Sequence, residues 1–220
     1  MVKVGINGFG RIGRLIWRAL LENYKGKIQV VGINDLGSAE TNAHLIKYDS
    51  THGILNHEVK TTDDGFQIGD QNIKVFAERD PAKLPWGKVG ADVVLECTGF
   101  FLDKDSAGKH IQAGAKKVII SAPAKEVDFT LVQGVNSKEL KKDHNIISNG
   151  SCTTNCLAPV AMVLEKNFGI TYGYMTTIHS YTGDQKLLDT LHKDLRRARA
   201  TEGSMIPTST GAAKAMSLVL

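Results

Sequence analysis

Cysteine is scarce, with three in 220 residues. That is too few for the disulfide framework that staples small secreted domains, and it points to a reducing compartment. The one close pair, Cys152 and Cys156, stands at i and i+4 with no second pair downstream. The four-ligand spacing of a zinc site is therefore missing too, and no metal is expected. No apolar run reaches the roughly 18 residues needed to span a bilayer, so no membrane partner is expected. The opening MVKVGINGFG moves straight into a strand pattern, without the basic n-region and apolar h-region of a secretory signal. A cytoplasmic home follows as the expectation. Internal repeats and low-complexity tracts are also missing.

Charge of one sign is only slightly in excess: 27 Lys and Arg against 23 Asp and Glu give +4. Much of the excess lies in HKDLRRAR (192–199). No zinc-finger, helix-turn-helix or RNP1 pattern accompanies it, so no nucleic-acid partner is expected. The stretch is either a solvated or subunit-contact surface or a seat for a small phosphorylated substrate.

The first 150 residues alternate strands and helices. VKVGIN, IQVVGIN (28–34), DVVLECTG (92–99), KKVIISAPA (116–124) and HNIISNG (144–150) read as strands, and FQIGDQNIKVF (66–76) as a hairpin turning near Gly69-Asp70. RIGRLIWRALLENY places Ile12, Leu15, Ile16, Ala19 and Leu20 at helical spacing, and 103–113 reads as a second helix. Short β-branched runs alternating with helices predict an α/β fold with a mostly parallel sheet covered on both faces. The strands end on small or polar residues, where open α/β sheets bind ligands.

GFGRIG sets Gly8, Gly10 and Gly13 in GxGxxG spacing between a strand and an amphipathic helix. In that context Gly8 makes a tight turn, Gly10 admits a pyrophosphate to the helix start, and Gly13 lets helix and strand pack closely. Asp35 ends the next strand, 22 residues past Gly13. A carboxylate there accepts from ribose hydroxyls and repels a 2′-phosphate, which favours NAD over NADP. The pattern predicts a Rossmann-type doubly wound sheet over 1–150.

From Ser151 the texture changes. SCTTNCLAPVAMVLEKNFG reads as a helix ending near Gly169, 170–182 as a strand, 183–206 as an irregular loop, and TGAAKAMSLVL as a helix opening near Thr208, Ser209 or Thr210. Residues 151–220 are expected to be the first part of an α+β catalytic domain. That last helix stops on its apolar stripe, which suggests a truncated chain. Cys156, beside Leu157, Ala158 and Val160, and Cys97, in a strand run, read as buried. Cys152 differs: it opens a helix, where free N–H groups and the helix dipole favour a thiolate. A nucleophilic thiol wants a base, and His179 is the one of seven histidines in a strand-like run after it. Spacing alone does not bring the two together.

INGFGRIGR, ECTGFF, KKVIISAPA, SNGSCTTNCLAP, HSYTGDQ and IPTSTGAAKA, in that order, resemble phosphorylating glyceraldehyde-3-phosphate dehydrogenases of the bacterial type. The resemblance implies NAD-dependent oxidative phosphorylation of glyceraldehyde 3-phosphate to 1,3-bisphosphoglycerate through a cysteine thioester, with inorganic phosphate as second substrate and a homotetramer as the assembly. It makes Cys152 the catalytic thiol and His179 its base. Arg11, Ile12, Asp35, Arg79 and Ser121 join the glycines in holding NAD. Ser151, Thr153, Thr182, Asp184, Arg197, Thr210 and Gly211 fall at the two anion sites, with Arg196 and Arg199 as rivals to Arg197. Gly150 stands where the family usually has Ala, and Thr190-Leu191 where many NAD-specific members have Leu-Pro. Erythrose-4-phosphate dehydrogenase is the sister reading, and a non-catalytic NAD-binding fragment the reading from another class.

Overall fold

The computed structural model describes residues 1–203 and 205–220; the loop expectation at Ser204 lies outside them. The chain divides into two compact units, Met1–Ser151 and Cys152–Leu220.

The first unit runs β1 (Val2–Asn7), α1 (Arg11–Asn23), β2 (Ile28–Asn34), α2 (Ala39–Lys47), a small ladder of β3 (Tyr48–Asp49) and β4 (Gly53–Ile54), then β5 (Val59–Thr62), β6 (Gly65–Ile68) and β7 (Gln71–Phe76). It continues through a short α3 (Trp86–Val89), β8 (Val93–Glu96), α4 (Lys104–Gln112), β9 (Lys117–Ile120), β10 (Phe129–Thr130) and β11 (Ile146–Ser148). Nine strands form one sheet in the order β10-β11-β9-β8-β1-β2-β7-β6-β5. It is parallel from β10 to β7, and β7, β6 and β5 close the edge as an antiparallel meander. The expected α/β class and the 66–76 hairpin are both present.

Three apolar clusters make up the core. Ile6, Phe9, Trp17, Ile33, Ile46 and Phe66 anchor one cluster; Trp86, Leu84 and Val94 anchor a second; Ala107, Val118, Ile120 and Ile146 anchor a third under α4. Asp103 caps α4 by accepting from the Ser106 N–H at 2.8 Å, and Ser38 caps α2 by accepting from the Thr41 N–H at 3.1 Å.

The buried face of α1 differs from the one expected. Ile12 and Ala19 are exposed, and Gly13, Trp17 and Arg18 are buried, with Leu20 and Leu21 packed against the core. The indole is the larger apolar body, and its burial rotates the helix about its axis. Arg18 is tolerated inside because its guanidinium donates to the carbonyls of Ile46, Lys47 and Gly53 at 2.8–3.1 Å.

The second unit holds α5 (Cys152–Phe168), followed by Gly169, and a short α6 (Ala212–Ala215) that tightens into a 3₁₀ turn over Met216–Leu218. The Thr210 hydroxyl accepts from the Ala212 N–H at 3.2 Å, so the helix begins where the sequence placed it. The strand expected over 170–182 is not formed among the described residues. Its composition suits a strand, but a strand needs a partner for its N–H and C=O groups, and this run pairs with none of the described strands. Tyr174 is 99% exposed and Ile178 89%. Cys156 is exposed rather than buried, as is Val160. The buried face of α5 is Thr153, Thr154 and Ala158, which turns Cys156 outward. Cys97 lies just past β8 and is largely enclosed; burial pushes its thiol up to about 12, against a hydrogen bond with Ser121. It is an inert filler.

Candidate active site

The first group of candidate residues lies at the carboxyl edge of the parallel strands. Gly8 leaves β1 at φ +89°, and a Cβ there would lie 2.7 Å from the Thr98 nitrogen. Both the left-handed backbone and the contact with the β8 exit require glycine. A Cβ on Gly13 would lie 2.3 Å from the Gly8 carbonyl oxygen, so α1 and its turn touch backbone to backbone. Gly10, at the N-cap of α1, has open space where a Cβ would stand, and no side chain caps the helix there. The first N–H groups of α1 thus face a gap fit for an anion.

Asp35 follows β2. It accepts from the Phe9 N–H and the Gly37 N–H, each at 2.9 Å, which ties the carboxylate to the glycine turn. Arg11 is exposed and pairs with Asp49. Burial pushes the Asp49 carboxyl up, but the N–H groups of His52 and Thr51 and the Arg11 guanidinium bring it down to about 2. Ile12 and Arg79 are exposed, Arg79 two residues past the Ala77 that follows β7. Ser121 follows β9, and its N–H donates to the Glu96 carbonyl at 3.0 Å.

The second group belongs to Cys152–Leu220. Cys152 opens α5, and its Sγ lies 3.1 Å from the His179 Nε2. Burial pushes the thiol up; the His179 hydrogen bond, the Thr153 N–H, the His179 charge and the Thr153 hydroxyl together outweigh it, and the thiol falls below its ordinary value. His179 moves the other way. Its Nδ1 lies 2.7 Å from the Ser180 carbonyl, and that bond, then the thiolate, hold the imidazolium above its usual range. With Nδ1–H donating to the carbonyl, Nε2 is the atom left to exchange a proton with sulfur.

These two residues line a cleft of about 700 Å³ together with Thr182, Arg197, Thr208 and Thr210. Arg197 Nε donates to the Thr208 hydroxyl at 2.7 Å, and its guanidinium pairs with Asp184. Burial pushes the Asp184 carboxyl up, but Arg197 and His192 draw it below its ordinary value. Asp184 therefore holds the guanidinium in place. Arg196 pairs with Asp194 and Arg199 with Asp189, both outside the cleft lining. The arginine cluster read from the sequence is thus a set of Arg–Asp pairs, of which the Arg197 pair faces the cleft. Thr153 is buried, Ser151 immediately precedes α5, and Gly211 is the N-cap of α6. A smaller cavity of about 220 Å³, lined by Trp17, Leu20, Leu21 and Ile68, touches none of these residues.

Comparison with known proteins gives the family. Residues 2–104 match the family described as glyceraldehyde 3-phosphate dehydrogenase, NAD binding domain, and residues 151–220 match its C-terminal domain. The chain belongs to the glyceraldehyde-3-phosphate dehydrogenase family. Glyceraldehyde-3-phosphate dehydrogenase of Xanthobacter flavus is 59% identical over 219 residues, and that of Geobacillus stearothermophilus 59% identical over 220. Glyceraldehyde-3-phosphate dehydrogenase 1 of Bacillus cereus is 58% identical over 221. Each alignment takes in 100% of this chain and 65–66% of the relative, so the chain spans about two thirds of the length of these dehydrogenases. Among the described residues no helix is long and apolar enough to cross a membrane, and no group of three or more His, Cys, Asp or Glu could hold a metal ion.

Helix-start chemistry and the resemblance single out Cys152 and His179, and the structure brings the two side chains together. Sequence reasoning passed over Asn7, Asn34, Glu96 and His110, four buried polar residues behind the strand ends. Each is ordinary in isolation, and the available signal was polar residues closing strands that are otherwise apolar.

Proposed function

We propose that the protein acts as a phosphorylating glyceraldehyde-3-phosphate dehydrogenase, converting glyceraldehyde 3-phosphate, NAD and inorganic phosphate to 1,3-bisphosphoglycerate. The observation that carries the reading is the Cys152 thiol 3.1 Å from the His179 imidazole, in one cleft with Arg197. The Cys152 thiolate attacks the aldehyde carbon, and the proton held at His179 Nε2 goes to the new alkoxide. His179 then takes back the hydroxyl proton as the hemithioacetal is oxidised to a thioester on Cys152. Inorganic phosphate attacks the thioester carbonyl, the C–S bond breaks, and the thiolate leaves to rejoin its imidazolium. Arg197, with Thr182, Thr210 and the start of α5, supplies the donors that phosphate dianions need.

The glycine edge suits NAD: open space at Gly10, close packing at Gly13, and a fixed carboxylate at Asp35. When bound, the nicotinamide dinucleotide supplies the hydride acceptor. Gly8, Gly10, Arg11, Ile12, Gly13, Asp35, Arg79 and Ser121 would hold it. We further read residues 1–150 as the cofactor domain and 151–220 as part of the catalytic domain, working in a cytoplasmic homotetramer. The direct test is NADH formation from the aldehyde and NAD, with and without phosphate. Turnover that requires phosphate supports the reading; phosphate-independent oxidation to the free acid overturns it.

A further inference from the structure

Behind the glycine edge lies a continuous chain of buried polar groups. Trp86 Nε1 donates to His110 Nδ1 at 2.9 Å, and His110 Nε2 lies 2.9 Å from Glu96 Oε2. Asn7 Nδ2 donates to the same Oε2 at 2.5 Å, and Asn34 Nδ2 donates to Asn7 Oδ1 at 2.7 Å. Asn34 is gripped by the main chain of Glu78, accepting from its N–H and donating to its carbonyl, both at 2.8 Å. Glu96 Oε1 accepts from the Thr98 N–H at 2.7 Å and from the Thr98 hydroxyl. Glu96 and His110 have side chains with no exposed surface, and no Lys or Arg pairs with this carboxylate among the described residues.

Hydrogen positions need not be assumed, because the ends of the chain have fixed polarity. An indole N–H only donates, so His110 Nδ1 must accept and Nε2 must carry the proton. A backbone N–H only donates, so Asn34 Oδ1 faces Glu78 N, and Asn34 Nδ2 turns to Asn7 Oδ1. Asn7 is then left with its Nδ2 toward Glu96. Thr98 N–H is the third fixed donor. All three routes end on Glu96, where both oxygens must accept. The two donors that meet on Oε2, Asn7 Nδ2 and His110 Nε2, lie 3.4 Å apart. A carboxyl group, which can accept at both oxygens, satisfies this junction. In glutamine the NH₂ would face the Thr98 N–H in one orientation and Asn7 and His110 in the other, leaving buried donors without acceptors.

The placement gives the network its use. Asn7 precedes Gly8, Asn34 precedes Asp35, Glu78 precedes Arg79, and the Thr98 backbone runs so near Gly8 that a Cβ on the glycine would lie 2.7 Å from the Thr98 nitrogen. We propose that Glu96 is the positioning residue of the cofactor edge: its carboxylate, gripped by four converging donors, sets how Gly8, Asp35 and Arg79 are presented to a dinucleotide. The claim rests on the reading of this edge as the NAD site.

The test is Glu96→Gln in the whole chain, read in two ways. Calorimetric titration with NAD is expected to show a dissociation constant raised about tenfold or more. Hydrogen exchange without NAD is expected to quicken at the amides of Gly8, Asp35 and Thr98 while α5 is unchanged, and the Trp86 indole N–H resonance to move. Thr98→Val, which removes one side-chain donor and keeps the N–H, gives a smaller change of the same kind and serves if Glu96→Gln does not fold. An affinity within about twofold of the unsubstituted chain, with quiet exchange at the three amides, overturns the proposal. If the unsubstituted chain fails to bind NAD, the cofactor reading falls, and the exchange arm still decides whether Glu96 sets the geometry of this edge.

Discussion

In Met1–Ser151 the strand-like stretches pair with one another; in Cys152–Leu220 the run at 170–182 pairs with no strand among the described residues. The first unit carries three sealed apolar clusters, whereas the buried apolar residues described in the second are Ala158, Ala212 and Val219. The polar groups follow the same division. Those behind the glycine turn are enclosed and locked to one another, and the Cys152 thiol and His179 imidazole stand exposed in a cleft. Local sequence suffices to start α5 and to set a thiol at its N-terminus. A strand is a property of pairs, so its sequence pattern stays unfulfilled until a partner arrives.

The largest effect expected is on the thiol side of that comparison. Cys152→Ser should abolish both turnover and fast alkylation, whereas Cys156→Ser should leave both close to the parent level. Cys156 is also exposed but lacks the imidazole. Peptide mapping after brief iodoacetate treatment separates the two, and equal labelling of both cysteines would erase the distinction drawn here.

The next effect is on the packed side. Gly13→Ala forces a methyl against the Gly8 carbonyl and should cost about 2 kcal/mol or more of stability. Gly10→Ala has open space and should melt close to the parent temperature, while NAD affinity falls because the methyl enters the gap at the helix start. Thermal melts beside NAD titrations check the contrast.

The smallest effect is on acid stability. The Asp49 carboxyl falls to about 2 in the folded chain from 3.8, so its contribution is complete above about pH 4 and is lost as pH drops toward 2. Asp49→Asn should lower stability at neutral pH and flatten that acid limb. Denaturant titrations at pH 7, 4 and 3 give the slope.

Much of this was legible in the sequence. The parallel α/β order, the 66–76 hairpin and the glycine turn follow from alternation, turn residues and spacing, all short-range signals. The face of α1 was misjudged because an apolar stripe does not say which neighbour is largest; Trp17 and the buried Arg18 decided it. Cys156 was misjudged for a related reason: apolar neighbours along a helix do not say which face meets a partner. The meeting of His179 with Cys152, 27 residues apart, needed coordinates or a resemblance. So did the Glu96 junction, whose members come from β1, β2, β8, α3 and α4. Buried networks join residues distant in the chain, and no periodicity announces them.

In the proposed mechanism His179 turns Cys152 into a thiolate near neutral pH. The rate of Cys152 alkylation by iodoacetate, measured against pH in the parent chain and in His179→Asn, tests it most directly. The thiol is lowered and the imidazolium raised, so the pair exists in the window between the two values. The parent profile should therefore rise well below the ordinary thiol range, about 8.5. His179→Asn should shift the rise upward by a unit or more, with a rate at pH 7 about tenfold lower. Superimposable profiles would contradict the account and would leave the start of α5 as the source of the reactivity.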